Sequence, residues 1–357
     1  MNICHLVFAP DTITYLATRA SVAAGHTVHI GLADPDRGRK SVHKVMQRIA
    51  RLPGVHLFYE ESDESLPDAF ERLVVQVFPR PTAVLGSGLL GRMAARARKV
   101  TLVTAGDRSR HRRASLQMQW QEIRSLARWA GKIDRVVYKD GFYPIDLFGL
   151  LKPRHVTGFD IHSMFMDDQA AFARIQELNW AVEMRRPILI NFMGSQDPAR
   201  RKIVLDSIRA TITQSIGSAA ADAHSKRMLW HEYSDAQPGA LGMSEFVDAL
   251  TDSDFTLCPP GYSLITHRPV EAMLRGSIPV LHASELDLYD IELTDGVNCI
   301  AVESQHWPKA VERCRSMDER SVVRMRANIR DIAERKLAFA HSSMRTRRNF
   351  GVEASEE

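Results

Sequence analysis

The apolar positions of this chain alternate between short continuous runs and longer stretches in which they recur every three or four residues. Residues 3–9 (ICHLVFA) form one such run. Pro10 and Asp11 interrupt it, and helical spacing follows from about residue 12 to residue 24. Gly25 closes the stretch, and residues 26–32 (HTVHIGL) are β-rich again. Strand, helix and strand in that order predict a βαβ opening and a parallel, doubly wound sheet. Further strands are expected at 55–59, 82–85, 99–104 and 135–138, with helices near 40–51, 65–78 and 115–130.

The pattern changes over residues 141–180, where Pro144, Pro153 and Gly158 interrupt a mixed sequence and a helix is expected over 168–183. A second alternation starts at Arg186. It predicts strands at 187–192, 228–233, 254–258, 278–282 and 298–302, and helices at 200–214, 243–250 and 267–275. A turn is expected at 194–198 and a small-residue loop at 217–221. Residues 307–340 read as mostly helical and arginine-rich, and the tail 351–357 as frayed. The expected organisation is a Rossmann-like domain over 1–165, a connection over 166–185, a second such domain over 186–325, and a helix with its tail over 326–357.

At 357 residues the chain exceeds what one core accommodates, which agrees with two domains. Its 45% hydrophobic and 25% charged residues are those of a soluble globular protein. The 47 basic and 43 acidic side chains give a net charge of +4, too small an excess to indicate nucleic acid. Cys4, Cys258, Cys299 and Cys314 have no C-x-x-C spacing, so buried free thiols are expected rather than a zinc site or a disulfide framework. No run approaches the ~18 apolar residues of a membrane span, and no signal peptide is evident. A cytoplasmic protein is expected, with peripheral membrane association through basic patches left open. The first βα turn lacks G-x-G-x-x-G, which disfavours a dinucleotide cofactor. Asp34 and Asp36 formally match D-x-D but follow a strand as a polar turn would, so no metal is expected.

The sharpest local signal runs from Phe255 to Leu281, FTLCPPGYSLITHRPVEAMLRGSIPVL. It reads as a buried strand, a rigid Pro-Pro-Gly turn, a helix with Pro269 in its first turn, a cap at Gly276 and another buried strand. Such a helix starts at the carboxyl edge of the sheet, where open α/β folds bind ligands and where free N–H groups favour an anion. Arg268 can grip phosphate oxygens with its fork, and Glu271, three residues on, shares its helix face and can accept from both ribose hydroxyls. The competing reading is an i,i+3 surface ion pair with no ligand.

Phe255, Cys258, Pro259, Gly261, Arg268, Glu271, Ala272, Gly276 and the Ile278-Pro279-Val280 run resemble the C-terminal signature of the exostosin-like glycosyltransferases. Phe192 to Gly194, followed by Arg200 and Arg201, is similar to that family's glycine turn and arginine. The resemblance implies a GT-B fold, two Rossmann-like domains facing a cleft, with the nucleotide-sugar donor on the C-terminal domain and the acceptor on the N-terminal one. It implies diphosphate binding by Arg268, ribose binding by Glu271, and a phosphate contact from Arg200 or Arg201. It also implies inversion, with a UDP-sugar expected as donor, a carbohydrate or lipid-linked glycan as acceptor, and no metal or other cofactor.

A general base belongs on the loops that follow the N-terminal strands. Asp11 is the first choice, equally readable as the N-cap of the next helix. Asp107 and His111 are alternatives, and Asp140 is a third. The run Arg108, Arg110, His111, Arg112, Arg113 is either an acidic-acceptor site or a solvated loop. His231 and Glu232 end a strand where they can reach the nucleobase or the donor sugar, and Tyr262 either stacks on a base or packs internally. The reading that competes with an enzyme of bacterial surface-polysaccharide synthesis is a two-lobed binder of nucleotide-sugar or anionic glycan without turnover.

Overall fold

A computed structural model describes residues 1–7, 12–32, 42–59, 66–77, 84–85, 88–104, 112–138, 146–156, 165, 167–197, 199–218, 227–233, 241–261, 266–289, 291–303 and 306–352. The chain forms two compact units, Met1–Thr157 with Ser343–Glu357, and Gly158–Ser342.

The first unit holds strands β1 (Asn2–Val7), β2 (Thr27–Leu32), β3 (Val55–Tyr59), β4 (Phe70–Gln76), β5 (Ala97–Thr104), β6 (Ile133–Tyr138) and β7 (Arg154–Val156). They form one sheet in the order β3-β2-β1-β4-β5-β6-β7. Every pairing in it is parallel. Helices α1 (Thr12–Ala23), α2 (Val42–Ala50), α3 (Gly88–Arg96) and α4 (Arg112–Leu126) connect the strands.

Two expectations are corrected here. Residues 65–78 do not form a helix, because Phe70–Gln76 is the strand between β1 and β5. Val74 and Val75 are β-branched, and every residue of β4 except Glu71 is buried, as in a parallel sheet covered on both faces. Of the strand expected at 82–85, the described residues Val84 and Leu85 are helical instead, residues 82 and 83 lie outside the described set, and the next described strand is β5. The short edge strand β7 and helix α3 went unpredicted.

The second unit follows the expected alternation closely. Helix α5 (Gln169–Gln176) precedes β8 (Ile188–Ser195), α6 (Ala199–Ser218), β9 (Arg227–Tyr233), α7 (Met243–Thr251), β10 (Ser253–Cys258), α8 (Arg268–Leu274), β11 (Ile278–His282) and β12 (Ile300–Val302). The strands make a five-stranded sheet in the order β12-β11-β10-β8-β9. It too is parallel throughout. Helices α9 (Trp307–Ser316) and α10 (Glu319–Ile332) complete the unit, and α11 (Phe339–Phe350) carries the chain back to the first.

Of the tail expected to fray, Gly351 and Val352 are packed instead, and 353–357 lie outside the described residues. Phe350 and Val352 are buried, and the Phe350 carbonyl accepts from the Thr101 hydroxyl at 3.1 Å. All four cysteines are free and buried.

Candidate active site

β10 is buried at every position and runs into Pro259, Pro260 and Gly261. Helix α8 then starts at Arg268 with Pro269 in its first turn, where the missing N–H costs nothing. It has 7 residues, so its dipole is modest and the charge of Arg268 dominates. Gly276 follows at φ +69°, the left-handed conformation expected of a helix cap.

In the order β12-β11-β10-β8-β9 the direction of winding reverses between β8 and β10, and such switch points are where parallel sheets bind ligands. A cleft of about 950 Å³, its open mouth included, lies there. Met193 and Gly194 at the end of β8, His231 and Tyr233 on β9, and Arg268 and Glu271 on α8 all line it.

The Arg268 side chain is held on three sides. Its Nη1 donates to the Met193 carbonyl. Its guanidinium lies over the Phe246 ring at 4.9 Å, and Nη2 stands 3.4 Å from where a Cβ on residue 194 would sit. The arginine thus lies alongside Gly194 at the end of β8, at ordinary van der Waals distance.

Glu271 Oε2 is 3.7 Å from Arg268 Nε. The glutamate side chain is only 5% exposed and that of the arginine 21%, so this is not a solvated surface pair. The two charges lie in the cleft wall, where fixed and poorly hydrated groups interact strongly with a polar ligand.

Arg201 bridges the turn. Its Nη1 donates to the Ser195 carbonyl at 3.1 Å and its Nε to the Pro260 carbonyl at 3.3 Å. A Cβ on Gly261 would collide with Arg201 Nη2, so Gly261 allows this crossing. Arg200 opens α6, but its side chain lies outside the described residues, as does the whole of Tyr262. His231 is half-exposed on the cleft. Its neighbour Glu232 accepts instead from Trp230 Nε1 at 2.7 Å and pairs with Arg209.

Several contributors escape a reading of local pattern. Phe246 on α7 and Phe165 form a tilted aromatic pair 6.2 Å apart at the apolar side of the cleft, and Phe246 had the spacing of an ordinary core residue. Tyr289 accepts the Thr266 N–H at 2.8 Å, which fixes the turn into α8. Burial and then the nearby charge of Glu285 push that phenol well above its ordinary range, so it stays neutral. Beneath the site Asn191 Nδ2 donates to Thr256 Oγ1 at 2.9 Å, and that hydroxyl lies 2.7 Å from Ser277 Oγ. Cys258 lines the cleft, but burial raises its thiol far above neutrality and leaves it unreactive.

In the first unit Asp11, Asp107, His111, Arg108, Arg110 and Asp140 lie outside the described residues, as do Asp34 and Asp36. Arg112 and Arg113 begin α4, with side chains outside the described set.

Among solved structures, the chain is similar to HepE of Anabaena in complex with UDP and glucose, at 13% identity and a TM-score of 0.57, over 98% of this chain and 99% of that one. It is similar to a TarM mutant of S. aureus in complex with fondaparinux, alpha-GlcNAc-glycerol and UDP, at 8% identity and a TM-score of 0.61, over 98% and 99%. Sucrose-phosphate synthase of Thermosynechococcus elongatus matches at 11% identity and a TM-score of 0.52, over 98% of both chains. No curated protein matches in sequence.

The two parallel-sheet units thus have the GT-B fold. Residues 157–299 match the Exostosin GT47 domain, a span that contains the cleft residues Gly194, Arg201, Arg268 and Glu271. The chain thus joins a GT-B fold to a match with the Exostosin GT47 domain that falls almost wholly in its second unit.

Proposed function

We propose that the cleft binds a nucleotide-sugar, with a UDP-sugar as donor, and that the enzyme transfers the sugar with inversion to a carbohydrate or lipid-linked glycan. The observation that carries this reading is the Arg268–Glu271 pair, 3.7 Å apart in the cleft wall and seated beside Gly194. A guanidinium anchored on a carbonyl and an aromatic face presents a fixed positive charge to a diphosphate, and a neighbouring carboxylate accepts from vicinal hydroxyls. The UDP held by HepE and TarM supports the choice of nucleotide.

In this reading the acceptor hydroxyl attacks the anomeric carbon while the bond to the diphosphate breaks. Arg268, with Arg201 beside it, stabilises the departing charge without a metal ion. Asp11, Asp107 or His111 takes the acceptor proton. Arg108, Arg110, Arg112 and Arg113 favour an acidic acceptor, which fits synthesis of a bacterial surface polysaccharide.

The test is a thermal-shift titration of UDP, GDP, ADP and CMP and their common sugar conjugates, in chelator. A ligand a hundredfold above its Kd stabilises the native state by about 2.7 kcal/mol. UDP and one UDP-sugar are expected to raise Tm in the wild type and to fail in Arg268→Ala. A folded wild-type sample indifferent to every nucleotide would overturn the reading.

A further inference from the structure

Helix α4 of the first unit and the turn hydrogen-bonded to it combine exposed apolar side chains with basic ones that have no ion-pair partner among the described residues. Between Arg112 and Ile133 the sequence holds a single carboxylate, Glu122. That residue is turned inward, 1% exposed, and accepts from the Thr104 hydroxyl at 3.3 Å. The outward side of α4 and the turn after it instead carries Trp120, Gln121, Arg124, Ser125 and Arg128.

The indole of Trp120 is 62% exposed. The 3-10 turn Phe148–Leu150 lies against the same helix, since the Leu147 N–H donates to Gln119 Oε1 at 2.9 Å. Phe148 enters the hydrophobic core together with Leu126 of α4, while Leu150 and Leu151 point outward at 81% and 63% exposure. Lys152 follows them.

Arg124, Arg128 and Lys152 form no ion pair among the described residues. This contrasts with exposed arginines of the second unit, where Arg313 pairs with Asp295 and Arg335 with Asp331. An exposed tryptophan and two leucines near basic side chains, with no exposed carboxylate between Arg112 and Ile133, match the layered chemistry of a bilayer surface. The indole and leucines enter the headgroup region while the ammonium and guanidinium groups meet lipid phosphates. No helix among the described residues is long and apolar enough to cross a membrane, so such attachment is peripheral.

We propose that Trp120, Leu150 and Leu151, with Arg124, Arg128 and Lys152, seat the first unit on an anionic lipid bilayer. The inference is independent of which nucleotide occupies the second unit.

The test is co-sedimentation of the full chain with vesicles of phosphatidylcholine alone and of equal parts phosphatidylcholine and phosphatidylglycerol. Two variants accompany the wild type, Trp120→Ser/Leu150→Ser/Leu151→Ser and Arg124→Gln/Arg128→Gln/Lys152→Gln. All six positions are on the surface, and unchanged urea midpoints confirm that both variants fold.

The wild type is expected to pellet with the mixed vesicles, to stay in solution with phosphatidylcholine, and to be released by added salt. Neutralising the three basic residues is expected to weaken binding roughly a hundredfold, about fivefold for each charge. Removing the apolar trio is expected to weaken it as well and to abolish a vesicle-induced blue shift of tryptophan emission. No pelleting by the wild type, equal pelleting with neutral vesicles, or full binding by either variant would overturn the proposal. A concentration-dependent dimer that the apolar variant dissolves would instead assign the face to a second copy of the chain, and would overturn it too.

Discussion

The main-chain N–H of Thr266 donates to the hydroxyl of Tyr289 at 2.8 Å, which ties the turn before α8 to a fully buried phenol beyond β11. Tyr289→Phe keeps the ring and removes the acceptor. A loss of about 1 kcal/mol in unfolding free energy is expected from urea denaturation. UDP affinity measured by calorimetry should fall several-fold, because Arg268 and Glu271 hang from the helix that this turn introduces. Unchanged affinity alongside lowered stability would make Tyr289 a packing residue only.

Gly276 is needed twice over. Its φ of +69° disfavours a side chain, and a Cβ there would stand 2.5 Å from the Trp180 ring and 2.7 Å from Arg186 Nη2. Neither neighbour can easily yield. Trp180 Nε1 donates to the Leu274 carbonyl at 2.9 Å, and buried Arg186 donates to the carbonyls of Ser253 and Arg275 at 2.8 and 3.0 Å. Gly276→Ala is therefore expected to cost about 2–4 kcal/mol, the sum of left-handed strain and overpacking. A urea midpoint within error of the wild type would contradict this.

If Glu271 holds the ribose, its contribution must depend on the ribose hydroxyls. Glu271→Gln should bind UDP about tenfold more weakly than wild type, the scale of one charge-assisted hydrogen bond. With 2′,3′-dideoxy-UDP the two proteins should bind almost alike. Equal losses for both ligands would mean that the carboxylate acts by orienting Arg268.

His5 on β1 is 1% exposed, and its Nε2 has no hydrogen-bond partner among the described residues. Burial lowers its pKa to about 3, and His29 is lowered by burial and by His56. An unfolded histidine titrates near ~6.5, so below that pH the unfolded chain takes a proton that the native state refuses. The stability linked to His5 is whole above pH ~6.5 and is lost as pH falls, by up to ~1.4 kcal/mol per pH unit. Urea midpoints at pH 7, 6 and 5 should therefore drop less steeply in His5→Leu. Parallel slopes in both proteins would exclude the histidine as the cause.

How far the chain was legible depended on how local the deciding interactions are. The strand, turn and helix around Arg268 could be read in advance because Pro259, Pro260, Pro269 and Gly276 constrain their own backbone angles. The stretch 65–78 could not. Its apolar spacing suits a helix, and only pairing of β4 with β1 and β5 makes Phe70–Gln76 a central strand. For the same reason Phe246, an ordinary core residue by its spacing, became the platform for a guanidinium supplied by another element.

By itself, then, the sequence determined two alternating α/β halves, a segment with the chemistry to hold a diphosphate and a ribose, and buried unpaired thiols. Periodicity, backbone restriction and side-chain type act over a few residues and survive without any fold. The tertiary structure decided that Arg268 and Glu271 line a cleft rather than pair on the surface, that Gly261 makes room for Arg201, and that Tyr289 fixes the approach to α8. Each of these depends on groups far apart in the chain meeting within a few ångströms, which no local pattern encodes.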